Sequence, residues 1–117
     1  MSRQKEDYIQ SRIDYETVTI AESGTVSTAI QLDGVVPIGI IIPAAFTGTA
    51  MKFQFSHDDS TYTALYNTSG SEVSITVGTS RWIGLDKEDF IGAKSFKCVS
   101  GSSEAAERTV TIVMMRY

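Results

Sequence analysis

Thr49-Ala50-Met51-Lys52-Phe53-Gln54-Phe55-Ser56 alternates at every step from Met51, with Met51, Phe53 and Phe55 on one side and Lys52 and Gln54 on the other. That period of two marks a half-buried β-strand, because successive strand side chains point to opposite faces. A helix would scatter the same residues around its surface. Turn-forming residues bound the stretch: Gly48 before it and His57-Asp58-Asp59-Ser60 after it.

The same texture extends towards the N-terminus. Val35-Val36-Pro37-Ile38-Gly39-Ile40-Ile41-Ile42 is almost continuously apolar and reads as a strand covered on both faces. Pro37 has no N–H for the ladder, so an edge position or a bulge is expected there. Asp33-Gly34 supplies the preceding turn. Residues 25–32 read as a strand with Val26, Thr28, Ile30 and Leu32 on one face. Residues 15–21 alternate Tyr15, Thr17 and Thr19 against Val18 and Ile20, and Glu22-Ser23-Gly24 makes the turn between these two segments.

Towards the C-terminus, residues 61–66 set Tyr62, Ala64 and Tyr66 against Thr63 and Leu65. The loop Asn67-Thr68-Ser69-Gly70-Ser71 leads into Val73, Ile75 and Val77 on one face of the next strand. Residues 81–85 form a short strand that includes Trp82. Asp86 is placed to cap a single helical turn that Gly92 ends. Phe96 and Cys98 share a face in residues 93–99. After a small-residue loop over 100–107, Val110, Ile112 and Met114 oppose Thr109, Thr111, Val113 and Met115 in the closing strand. About eight or nine short strands with brief connections and no long amphipathic helix predict an all-β domain. The expected architecture is an antiparallel two-sheet sandwich of jelly-roll type.

The remaining residues, 1–14, are polar and mixed in charge, with isolated Tyr8, Ile9 and Ile13. They read as an extended N-terminal arm attached to a sandwich domain over 15–117. Such arms are either disordered or tied down on a partner. The whole chain is 117 residues, one ordinary domain, and 42% hydrophobic content suffices for a core without staples.

Composition narrows the function classes. Ten Lys and Arg against fourteen Asp and Glu leave a net charge of −4, and the cations are scattered, which argues against a nucleic-acid partner. The longest apolar run is broken by Pro37, Gly39 and Pro43 and falls short of a membrane span. The polar start lacks the apolar segment of a signal peptide, so the expectation is synthesis and folding in a cytoplasm. A single cysteine, Cys98, cannot form an internal disulfide.

Candidate chemistry is sparse. His57, Asp58 and Asp59 are consecutive in a turn, where adjacent side chains rarely converge on one ion, so Asx-turn chemistry is the expected role and no metal site is assigned. A Cys98 nucleophile would need His57 as its base; beside Phe96 on an alternating strand, a buried inert thiol is expected instead. No nucleophile elbow, phosphate loop or dinucleotide fingerprint is present. The reading is therefore non-enzymatic, with no catalytic residue and no cofactor. Core packing is the expected role of Trp82, Tyr62 and Tyr66, with an aromatic glycan platform as the alternative. The second face of the Val35–Ile42 run must be covered by the opposite sheet or by a neighbouring chain.

Two stretches carry a resemblance. The first runs Ile42-Pro43-Ala44-Ala45-Phe46-Thr47-Gly48-Thr49 into the strand quoted above and on through Tyr62-Thr63-Ala64-Leu65-Tyr66. The second is Phe96-Lys97-Cys98-Val99-Ser100-Gly101-Ser102-Ser103 before Arg108-Thr109-Val110-Thr111-Ile112-Val113. From about Thr25 onward the chain resembles a family of small tailed-phage and prophage structural proteins. It departs from them at His57-Asp58-Asp59-Ser60, where relatives often have a glycine-containing turn. The resemblance implies a virion component with no catalytic site. The specific expectation is a capsid decoration, or cement, protein on the exterior of the phage head. It would bridge subunits of the major capsid protein and itself be a homo-oligomer, a trimer being one option. Arg3, Lys5, Tyr8 and Arg12 are the candidate contact residues of the arm. The alternative is a head-fibre or tail-associated module that binds a host surface glycan.

Overall fold

The structure, a computed structural model, describes residues 12–117. Nine strands form along the chain: β1 (Ile13–Ile20), β2 (Ile30–Gln31), β3 (Val35–Ile42), β4 (Ala50–Ser56), β5 (Thr63–Ala64), β6 (Ser74–Thr76), β7 (Arg81–Gly84), β8 (Ser95–Ser100) and β9 (Arg108–Arg116). One 3-10 turn, Lys87–Asp89, lies between β7 and β8, with the Asp86 side chain accepting from the Glu88 N–H as its cap. The strands make two antiparallel sheets. A front sheet is ordered β1-β9-β3-β7, and a back sheet β2-β8-β4-β5, with β6 also pairing β4. The expected antiparallel sandwich is what forms. Six of the eight steps from strand to strand carry the chain from one sheet to the other.

The alternating residues fill the space between the sheets. Val18, Ile20, Ile40, Ile42, Val110, Ile112 and Met114 come from the front sheet, Met51, Phe53, Phe96 and Cys98 from the back, and all are buried. Phe90, carried on the residue after the 3-10 turn, packs edge-on to Phe53 at 4.9 Å and so plugs the core with an aromatic cluster. Among the described residues, every buried side-chain nitrogen and oxygen has a hydrogen-bond partner, as a stable interior requires.

Three local expectations change. First, β1 begins at Ile13, paired with Met115, two residues before the expected start at Tyr15. Second, residues 25–32 do not hold one face. Ser27 is buried and Val26 exposed. The segment bridges to Val99 of the back sheet at Val26 and to Ile20 of the front sheet at Ser27, then returns to the back sheet at Ile30. It closes one side of the sandwich, and a strand that changes sheets cannot keep one face buried. The Ser27 hydroxyl makes the crossing possible by accepting from the Cys98 N–H at 2.8 Å and donating to the Thr28 carbonyl. Third, β3 is an inner strand. Pro37 is accommodated by a register shift between Pro37 and Gly39, so the bulge is the outcome rather than the edge.

Candidate functional site

The outer face of the front sheet is set by the register. One row across it is Tyr15–Val113–Gly39–Gly84, and the next is Thr17–Thr111–Ile41–Trp82. Thr19–Thr109 and Ile13–Met115 extend these rows at either end. Between them run the inward rows, anchored by buried Ile40 and Ile112. Tyr15 on β1 and Trp82 on β7 occupy the two edge strands, yet their rings meet at 6.4 Å with planes 85° apart. They lean towards each other over the middle of the sheet. Glycine makes this possible: a Cβ at Gly39 would stand 3.0 Å from the Trp82 Nε1 and 3.4 Å from the Val113 Cβ. Beneath this pair Val113 is 3% exposed, although Tyr15 and Trp82 keep 55% and 62% of their own surfaces.

No charged residue lies in those outer rows. The charges of these strands sit in the inward rows instead, where strand ends and sheet edges let them reach water. Asp14 and Glu16 on β1 stand opposite Met114 and Ile112, and Arg81 on β7 stands opposite Ile42. The back sheet is arranged the other way. Its outer face carries Lys52, ion-paired to Glu72 at 3.2 Å, and Lys97, whose ammonium lies 4.3 Å from the centre of the Tyr62 ring.

A second cluster fixes one end of the sandwich. Glu104 is 1% exposed, in a loop whose sequence reads only as small and polar. One carboxylate oxygen accepts from the Thr47 N–H at 2.8 Å and from the Arg108 Nε at 3.0 Å; the other accepts from the Gly48 N–H at 2.9 Å and the Ser100 hydroxyl at 2.8 Å. Burial alone would raise its pKa, but these four donors hold it below the ordinary value. A side chain at Gly48 would collide with the Ser100 hydroxyl. The two stretches that carry the family resemblance, around Thr47-Gly48 and Ser100-Gly101, therefore meet on this one carboxylate.

The residues singled out from sequence are not brought together. Arg3, Lys5 and Tyr8 lie outside the described residues. Arg12 donates from Nε and Nη2 to the Arg116 carbonyl, at 3.2 and 2.9 Å, and so fastens the start of β1 to the end of β9. His57, Asp58 and Asp59 form the exposed turn, with Asp58 Oδ1 accepting from the Ser60 and Thr61 N–H groups at 2.9 Å each. Cys98 is fully buried, and burial pushes its thiol up to about 12. The core role expected of Trp82 and Tyr66 is overturned by their 62% and 58% exposure. Tyr62 lies over the back sheet, its hydroxyl 2.9 Å from the Ser95 Oγ, so it cannot share a platform with Trp82 on the front. The aromatic partner of Trp82 is Tyr15, whose clue in the sequence was the uncharged set Ile13, Tyr15, Thr17 and Thr19.

No protein-family model matches the chain, and no curated protein sequence does. Solved structures do. The SPBc2 prophage-derived protein YomS superposes over 87% of this chain and 93% of its own, with a TM-score of 0.54 and 17% identity. CBM32-1 from a family 31 glycoside hydrolase of Clostridium perfringens superposes over 93% of this chain and 96% of its own, with a TM-score of 0.51 and 11% identity. At such identities the likeness is one of fold. The class defined is a β-sandwich whose shape is shared with a prophage-derived protein and with a CBM32 module over nearly the full length of each.

Proposed function

We propose that the protein is a non-enzymatic structural component of a phage particle and works through protein contact on the outer face of its front sheet. The observation that carries this reading is an uncharged sheet face bearing two half-exposed aromatic rings in a chain whose net charge is −4. A solvated sheet face ordinarily carries charge, and an aromatic, uncharged patch on a rigid scaffold is the composition of an interface core. The likeness to a prophage-derived protein supports the phage setting. The finer reading is a decoration protein made in the host cytoplasm and mounted on the exterior of the head, where it bridges subunits of the major capsid protein. Repeated copies on a symmetric shell turn modest contacts into firm attachment.

Imaging of particles with and without this chain tests the reading. Extra density of this size at regular positions on the shell is expected, and loss of that density with Trp82→Lys. A chain found only outside particles would overturn it. The second reading is a glycan-binding module, favoured by the CBM32 likeness and by exposed Trp82. Its test is binding to a glycan array, abolished by Trp82→Ala.

A further inference from the structure

We infer that the outer face of the front sheet docks a second copy of this chain, face to face. The inference rests on the reading of that face as a protein-contact surface and names its occupant.

Three features of the face select a second copy. The first is charge. Two copies of a chain with net charge −4 repel at long range, so self-contact needs a surface free of like charges. The rows Tyr15–Val113–Gly39–Gly84 and Thr17–Thr111–Ile41–Trp82 supply one, and turned about a two-fold axis they meet their own kind without an unpaired charge.

The second feature is the treatment of the edges. β1 and β7 are the edge strands of the front sheet. Both point charges inward at their margins, Asp14 and Glu16 on one and Arg81 on the other. Inward-pointing edge charges block strand-to-strand addition. Edge pairing is guarded and the face is not, so the open mode of self-association is sheet on sheet, at ~10 Å spacing.

The third feature is area and chemistry. Four strands at ~4.8 Å spacing and about eight residues at ~3.3 Å present roughly 500 Å² of flat face. A standard interface buries ~800 Å² per partner, so a dimer of moderate strength is expected. A sugar stacks on a flat aromatic face and is oriented by a few precisely placed polar groups beside it. The outer rows carry no carboxylate, carboxamide or guanidinium group, and the 85° angle between the two rings gives no coplanar platform.

Sedimentation velocity on the full chain, from about 1 μM to about 300 μM, tests the inference. The expected result is a monomer–dimer shift with a midpoint on the order of 10 μM. Trp82 is the sole tryptophan, so its emission should move to the blue over the same range as it leaves water. Thr111→Lys, in the centre of the face, should raise the midpoint at least ~10-fold, while the same change at Thr76, exposed on the back sheet opposite Ala50, should leave it in place. Thr17→Lys on the edge strand serves if Thr111→Lys fails to fold. A protein that stays monomeric throughout overturns the inference, as does a Thr76→Lys effect equal to that of Thr111→Lys. Capsid co-sedimentation separates the two readings. Capsid attachment lost in Thr111→Lys with a monomeric wild type would retain the particle role and refute the dimer. A dimer that ignores capsids would do the opposite.

Discussion

Trp82 lies across Gly39, close enough that a Cβ at position 39 would stand 3.0 Å from its Nε1. The glycine sits just past the Pro37 bulge in an inner strand and pairs with Gly84 on the strand that carries the tryptophan. Gly39 makes the shallow seat on which the indole rests, while a side chain at Gly84 would meet open space. The ring in turn covers backbone that would otherwise face water, which offsets the usual weakness of glycine in a strand.

Gly39→Ala should therefore lift the indole by a few tenths of an ångström at a cost below ~1 kcal/mol. Gly39→Val should displace it at a cost of roughly 1–3 kcal/mol. The measurement is tryptophan emission with chemical denaturation. A red shift in the native state of Gly39→Val is expected. An unchanged spectrum would show that Trp82 does not depend on this seat.

Glu104 holds together the loop before β4 and the loop before β9. Replacing it with alanine strands the Arg108 guanidinium and the Thr47 and Gly48 N–H groups, and a loss of about 3 kcal/mol is expected by denaturant unfolding. Glu104→Gln keeps an acceptor but removes the charge, so about half that loss is expected. The pH dependence follows from a folded-state pKa held below the ordinary value of 4.5. The contribution of Glu104 is complete above that value and is lost as pH falls through the folded pKa. Wild-type stability should drop on acidification below about 4.5, and Glu104→Gln should show a shallower drop.

The uneven legibility of this chain has a physical pattern. Strand alternation is local, so β3, β4, β8 and β9 stand in the sequence nearly as they fold, and the Asp86 cap and the Asp58 turn are equally local. Ser27, Glu104 and Trp82 are different, because each takes its role from a residue distant in sequence. Ser27 meets Cys98, Glu104 meets Thr47 and Gly48, and Trp82 meets Gly39 and Tyr15. A tryptophan between Arg81 and Ile83 reads as core until the register shows that Ile83 takes the inward position. The uncharged outer face was visible in part as a run of alternate threonines. Only the pairing of β1 with β9 and of β9 with β3 reveals that the uncharged positions are contiguous.

Cys98 tests the tightness of the back sheet. With its thiol pushed up to about 12 by burial, the thiolate is a fraction of roughly 10⁻⁴ at pH 8. The native protein should resist thiol reagents, and modification should follow unfolding, with the same dependence on denaturant. Prompt labelling of the folded protein would mean that the β2–β8 side of the sandwich opens readily. Cys98→Ser should destabilise by about 1–3 kcal/mol, because it places a hydroxyl in an apolar core.

Asp58 governs the turn between β4 and β5. Its Oδ1 accepts from the Thr61 and Ser60 N–H groups and from the Ser56 hydroxyl, and these bonds lower its pKa to about 2 from an ordinary 3.8. A depressed carboxylate contributes fully above its unfolded value and loses that contribution as pH falls through the folded one. The turn should therefore stay closed at pH 4 and loosen only as pH nears 2. The amide resonances of Ser60 and Thr61 are the direct reporters, and their titration midpoint should fall near 2. Asp58→Asn keeps the acceptor and should keep both amides protected from exchange while removing that midpoint. Asp58→Ala should expose both amides and leave the core intact, because Phe55 is the strand residue nearest the turn that packs inward and it is held by Phe90 and Phe96 rather than by the turn. Equal protection in Asp58→Ala would assign the closure to Asp59, whose positive φ of 64° also shapes the turn.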